Sequence, residues 1–103
     1  METTFTFRNL ETSEALKSLT LKKLERLGKY LVKPTKAHII FNVERFQHQL
    51  EITLNANGIQ YVSHEKDPDM YASIDGAITK LQRQLEKYKE RLKKHKDKIR
   101  KRG

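Results

Sequence analysis

The chain has 103 residues, 36% of them apolar and 34% charged, with 22 Lys and Arg against 13 Asp and Glu for a formal charge of +9. That length supports one domain with a single modest core, and the regular spacing of its apolar residues excludes disorder. With no cysteine, a disulfide framework, thiol chemistry and a cysteine-based zinc site are excluded as well.

The opening METTFTFRNL does not follow the basic, apolar, small-residue order of a signal peptide, and no apolar run approaches a membrane span. A soluble, cytoplasmic protein is expected. Thr3 to Arg8 alternates, with Phe5 and Phe7 on one side, which predicts a short half-buried strand. Thr12 or Ser13 then caps a helix with Glu14 in its first turn. The helix is expected to run to Leu31 or Val32, where Pro34 stops it. On a helical projection Leu16, Leu19, Leu24, Leu27, Tyr30 and Leu31 form one apolar arc. Lys22, Arg26, Lys29 and Lys33 form a basic stripe at roughly 220° to 280°. Lys23 falls inside the apolar arc, where a lysine must snorkel or find a partner.

Three strands follow. Ala37, Ile39, Phe41 and Val43 alternate with polar neighbours, and after a polar turn near Phe46 to His48 so do Leu50, Ile52, Leu54 and Ala56. Asn57-Gly58 is a strong two-residue hairpin signal, because both turn residues accept positive φ. It leads into a strand from Ile59 to His64, with Ile59 and Tyr61 facing the side of Ala56 and Leu54. Asp67-Pro68 then opens the last helix, with Asp67 as cap, proline at the first helical position and Asp69 where the helix dipole favours it.

From Asp69 to Arg102 the residues sort by angle into three stripes. Met70, Ile74, Ala77, Ile78, Leu81, Leu85, Tyr88, Leu92 and Ile99 fall between roughly 340° and 80°. Lys80, Arg83, Lys87, Arg91, Lys94, Lys98 and Lys101 fall between roughly 220° and 300°, and Asp75, Glu86, Glu90 and Asp97 near roughly 140° to 200°. Residues 77–103 hold twelve Lys and Arg against three Asp and Glu, whereas residues 1–76 hold ten of each. The whole formal charge therefore sits in residues 77–103. Solubility alone is served by interspersed signs, so the sorting points to an anionic partner.

The order β-α-β-β-β-α predicts an α+β fold. The first crossover must be parallel and right-handed, and the two hairpins make the other pairs antiparallel, giving a four-stranded mixed sheet. Both helices then run the same way on one face of the sheet, and both basic stripes tilt outward in the same sense. One domain over residues 1–103 is expected, with 96–103 a basic tail that frays without a partner.

Nothing in the chain assembles a catalytic centre. Asn57-Gly58, Gly28 and Gly76 lack a phosphate-loop context, and His38, His48, His64 and His95 lie far apart in sequence. Ser63-His64-Glu65 cannot form a relay, since consecutive strand residues point to opposite faces. The expectation is a binding module that is not an enzyme, with no metal, no cofactor, no small-molecule substrate and no membrane partner.

The heptad Asp69-Met70-Tyr71-Ala72-Ser73-Ile74-Asp75, followed by Lys80-Leu81-x-Arg83-Gln84-Leu85-x-Lys87, resembles the ribosome hibernation-promoting and ribosome-associated inhibitor family. Asn9-Leu10-Glu11, Glu14-Ala15-Leu16 and Lys23-Leu24-x-Arg26-Leu27 are similar as well. The resemblance implies a partner in the rRNA of the small ribosomal subunit, bound in the mRNA channel over the decoding sites, and silenced translation in stressed or stationary cells. It carries over Lys23, Arg26, Lys80, Arg83 and Lys87 as RNA-binding positions, while Lys22, Lys29, Lys33, Arg91 and Lys94 come from the stripes alone. It also implies a short member of the family, monomeric off the ribosome, and the brief Lys98-to-Gly103 ending favours the type that promotes ribosome dimers. The competing expectation is a double-stranded-RNA module independent of the ribosome, because helices on one face of a sheet also suit that role.

Overall fold

A computed structural model describes the backbone of residues 1–32 and 34–102 and the side chains of residues 1–32 and 34–89. The elements follow the expected order: β1 (Glu2–Arg8), α1 (Glu14–Glu25), a single 3-10 turn (Gly28–Tyr30), β2 (Lys36–Glu44), β3 (Gln47–Ala56), β4 (Ile59–Asp67) and α2 (Met70–Arg102). The sheet order is β1-β2-β3-β4. β1 pairs parallel with β2, placing Phe7 beside Phe41, and the other two pairs are antiparallel.

Alternation decides what each face of the sheet meets. Ile39, Phe41, Leu50, Ile52 and Leu54 are fully buried on one face, against Leu24 and Leu27 after the α1 crossover and Ile74, Ala77, Leu81 and Leu85 of α2. Phe7 stacks on Phe41 with ring centroids 4.8 Å apart, extending the core onto the edge strand β1. The other face is uncovered and polar: His38 sits between the hydroxyls of Thr4 and Thr6, and Glu51 lies across from His64.

Three local expectations are corrected. First, α1 ends at Glu25, with Arg26 as its C-cap, rather than reaching Leu31 or Val32. Gly28 is a poor helix former, and the tight bonds from Leu27 to Leu24 and from Tyr30 to Leu27 convert the exit into a 3-10 turn. Asn57 then clasps that exit, donating to the Tyr30 carbonyl at 3.0 Å and accepting from the Val32 amide at 2.8 Å. Second, β4 runs on to Asp67, and the cap of α2 is Asp69. Its side chain accepts from Tyr71 N and its carbonyl from Ser73 N, while Asp67 accepts from Asp69 N. Pro68 therefore lies outside the helix. Third, the β2–β3 connection is the two-residue turn Arg45-Phe46, both residues at positive φ, and Gln47 already pairs with Glu44. Ile59 faces the expected side, paired with Ala56, with more than a third of it exposed.

α2 outlasts its support. Its 33 residues span about 50 Å, against about 30 Å for a nine-residue strand, and the molecule is 57 Å in its longest dimension. The side chains of the expected basic tail at 96–103 lie outside the described residues, as do those of Lys33, Arg91 and Lys94.

Candidate nucleic-acid interface

The stripes of α2 meet three different surroundings. Its apolar stripe is the part buried on the sheet. The described acids of its acidic side face α1 and the 3-10 turn: Lys23 Nζ of α1 lies 2.5 Å from Asp75 Oδ1, and Glu86 accepts from Tyr30 Oη of the turn and from Gln82 Nε2, both at 3.0 Å. Those two bonds hold the Glu86 carboxyl below the ordinary value, the Gln82 amide contributing most. Lys23, which sequence placed in the apolar arc, is thus accounted for by a partner 52 positions away.

The basic side of α2 faces β4, an edge strand whose outward carbonyls are otherwise open to pairing. Lys80 donates to the His64 carbonyl at 3.0 Å and lies 3.1 Å from Glu65 Oε2, while Gln84 donates to the Val62 carbonyl at 2.8 Å. The bond from Lys80 is the main cause that lowers the Glu65 pKa. Gly76 makes this possible, since a Cβ there would stand 2.8 Å from Glu65 Cγ. One step outward from Lys80 and Gln84, Arg83 and Lys87 are exposed, and among the described residues neither meets a carboxylate.

The candidate residues of the first helix divide differently. Lys22 is exposed on α1 and Arg26 is exposed at its C-cap. Lys29 belongs to the 3-10 turn, with its ammonium 5.2 Å from the centre of the Tyr30 ring. Two basic ridges therefore stand on the helical side of the molecule, Lys22 and Arg26 on one and Arg83 and Lys87 on the other. The groove between them carries Asp75 and Glu86, which the angular sorting placed away from both stripes without showing that Asp75 meets α1 and Glu86 the 3-10 turn. Three structural partners were missed in the sequence: Asp75, Glu65 and Ser73, whose buried hydroxyl donates to the His48 carbonyl. All three lie in or beside the segments singled out for other reasons, and only the lysine inside an apolar arc signalled that a partner was needed.

Among the described residues no three His, Cys, Asp or Glu side chains gather as metal ligands, and no helix is long and apolar enough to cross a membrane. The arrangement can present fixed positive charge along a rigid helix to an extended polyanion.

Comparisons with known proteins agree with this geometry. The family described as "Sigma 54 modulation protein / S30EA ribosomal protein" matches residues 3–100. A ribosome hibernation promoting factor of Escherichia coli is 37% identical over 89 residues, covering 86% of this chain and 94% of the relative. One from Pseudomonas putida is 35% identical over the same length, covering 87% of the relative. The N-terminal domain of Thermus thermophilus Protein Y superposes with a TM-score of 0.79 at 28% identity, covering 85% of this chain and 99% of that one. A ribosomal subunit interface protein from Coxiella burnetii gives 0.75 at 30% identity, covering 86% and 98%. With the same element order and a match spanning nearly the whole chain, the protein belongs to the S30EA ribosomal protein family.

Proposed function

We propose that this chain is a ribosome hibernation factor that binds the small ribosomal subunit as a single copy and holds it inactive in stressed or stationary cells. The basic ridge of α2 lies along the rRNA backbone in the mRNA channel and the tRNA sites. Phosphate contacts from Lys80, Arg83 and Lys87 position the helix, and Lys22, Arg26 and Lys29 add a second set of charges. The observation that carries this reading is the segregation of charge: residues 77–103 hold the whole net +9, and Arg83 and Lys87 stand exposed on the helix, in no ion pair with a carboxylate among the described residues. Relatives named as hibernation promoting factors and as a subunit interface protein support it.

No chemistry is required for inhibition. A protein lying over the decoding region excludes tRNA and mRNA, so each must weaken the other's binding by the same factor. The test is a titration of in vitro translation at several ribosome concentrations. Half-inhibition is expected near one protein per ribosome and is relieved by excess small subunits. Inhibition at a hundredth of that ratio, or rRNA cleavage, would overturn the reading. Gradient sedimentation of cell extract separates it from a free double-stranded-RNA module, since the proposal requires cofractionation with ribosomes.

A further inference from the structure

At the end of the sheet that carries the Asn57-Gly58 hairpin, an open slot of about 440 Å³ lies between the 3-10 turn and α2, within the size range of small-ligand sites. Lys29, Tyr30, Val32, Leu85, Tyr88 and Lys89 line it. Its floor is apolar and aromatic: Leu85 is buried, the half-buried Tyr88 is backed edge-on by Tyr61 at 6.3 Å, and Val32 is 69% exposed. Lys29 and Lys89 hold their ammonium groups 5.2 and 5.8 Å from the centre of the Tyr30 ring, within cation–π reach. The slot is built in advance, because Asn57 fixes the backbone of Tyr30 and Val32 and Glu86 anchors the Tyr30 hydroxyl.

We propose that this slot takes one unstacked nucleobase of the bound RNA, seated against Tyr88, Leu85 and Val32, with the flanking phosphates on Lys29 and Lys89. A flat apolar floor with an aromatic ring suits the face of a base, and cations at the rim suit the chain that carries it. Charge complementarity selects this occupant: two ammonium groups outnumber the nearby Glu86 carboxylate, and a purely apolar protein segment has no use for them. The inference rests on the reading of the chain as an rRNA binder, and adds a base-contacting subsite to a surface otherwise made of phosphate contacts.

The test uses the full chain and a single-stranded adenosine hexanucleotide, compared with a ribose-phosphate hexamer of the same charge that lacks bases. The base-bearing oligomer is expected to bind roughly 5- to 150-fold tighter, the effect of one stacked base, and to shift the aromatic NMR signals of Tyr88. Tyr88→Leu and Val32→Glu should remove that preference, with circular dichroism showing the fold retained. On isolated small subunits Tyr88→Leu should lower affinity while leaving the salt slope unchanged, since no phosphate contact is lost. Equal binding of the two oligomers by the unaltered chain overturns the subsite and leaves the ribosome reading standing. A concentration-dependent dimer that Val32→Glu dissociates also overturns it, by assigning the slot to a second copy. Failure of the unaltered chain to bind small subunits would instead remove the functional reading, and the oligomer comparison would still judge the slot.

Discussion

Lys23 on α1 and Asp75 on α2 meet with their charged atoms 2.5 Å apart. The two segments on which the family resemblance rests, one in each helix, are thereby joined. The Lys23 side chain is 21% exposed and that of Asp75 62%, so the pair is partly screened and is worth about 0.2–1 kcal/mol. A double-mutant cycle with Lys23→Gln and Asp75→Asn, read by chemical denaturation, should recover a coupling in that range. Asp75→Asn should also tighten small-subunit binding, because it removes a carboxylate from the groove and releases Lys23 toward phosphate. Weaker binding by that variant would show that the ion pair is needed to shape the surface.

Gly76 and Glu65 compete for the same space. Replacing a helical glycine with alanine ordinarily gains about 1 kcal/mol, but here the added Cβ would displace Glu65 from Lys80. Gly76→Ala should therefore give no gain in the unaltered chain and the full gain of about 1 kcal/mol in a Glu65→Ala background. Thermal or urea melts of the four proteins decide this. The same gain in both backgrounds would show that Glu65 moves aside at no cost.

The two carboxyls with lowered pKa predict the acid side of the stability curve. Glu65 and Glu86 each lie below the ordinary value of 4.5, held by the bond from Lys80 and by the bonds from Gln82 and Tyr30. A lowered folded-state pKa means that the stabilisation is fully present above the unfolded value and is lost as pH falls through the folded one. Melting temperature should be flat on this account from neutral pH down to about 4.5 and decline below it. In Glu65→Gln the decline should be shallower. A curve identical to that of the unaltered protein would show that the Lys80 contact does not persist in solution.

Much of this fold is written in local pattern. Period-two alternation in β1 to β4, the Asn57-Gly58 turn and the three stripes of α2 each follow from short-range geometry, and their order constrains the topology. What was not legible is set by contacts between distant segments. α1 stops early because Gly28 weakens the helix and Asn57, about thirty residues on, captures the exit through Tyr30 and Val32. Arg45-Phe46 turns without a glycine or asparagine because strand register forces two residues into positive φ. The basic stripes were legible as angles, but that Lys80 would be tied to β4 and Lys23 to Asp75 depends on how the helices pack. Arg83 and Lys87, which stand both in the stripe and in the family resemblance, are exposed, and no carboxylate among the described residues forms an ion pair with either.

Binding should be governed by phosphate contacts. If about five to eight charges engage the rRNA, log affinity falls with log salt at a slope of roughly −4 to −7. Measured on isolated small subunits, a slope near zero would remove the electrostatic basis of the account.

The central claim is that position on α2, and not net charge, makes the interface. Arg83→Glu with Lys87→Glu changes total charge by the same amount as Lys36→Glu with Lys66→Glu, and Lys36 and Lys66 are exposed on the uncovered face of the sheet. Equilibrium binding of the three proteins to isolated small subunits, at matched salt and with folding checked by circular dichroism, is the most direct measurement. The account predicts a loss of about a hundredfold or more for the α2 pair with a salt slope shallower by about 2, and less than about tenfold for the sheet pair. Equal losses from the two pairs would contradict it.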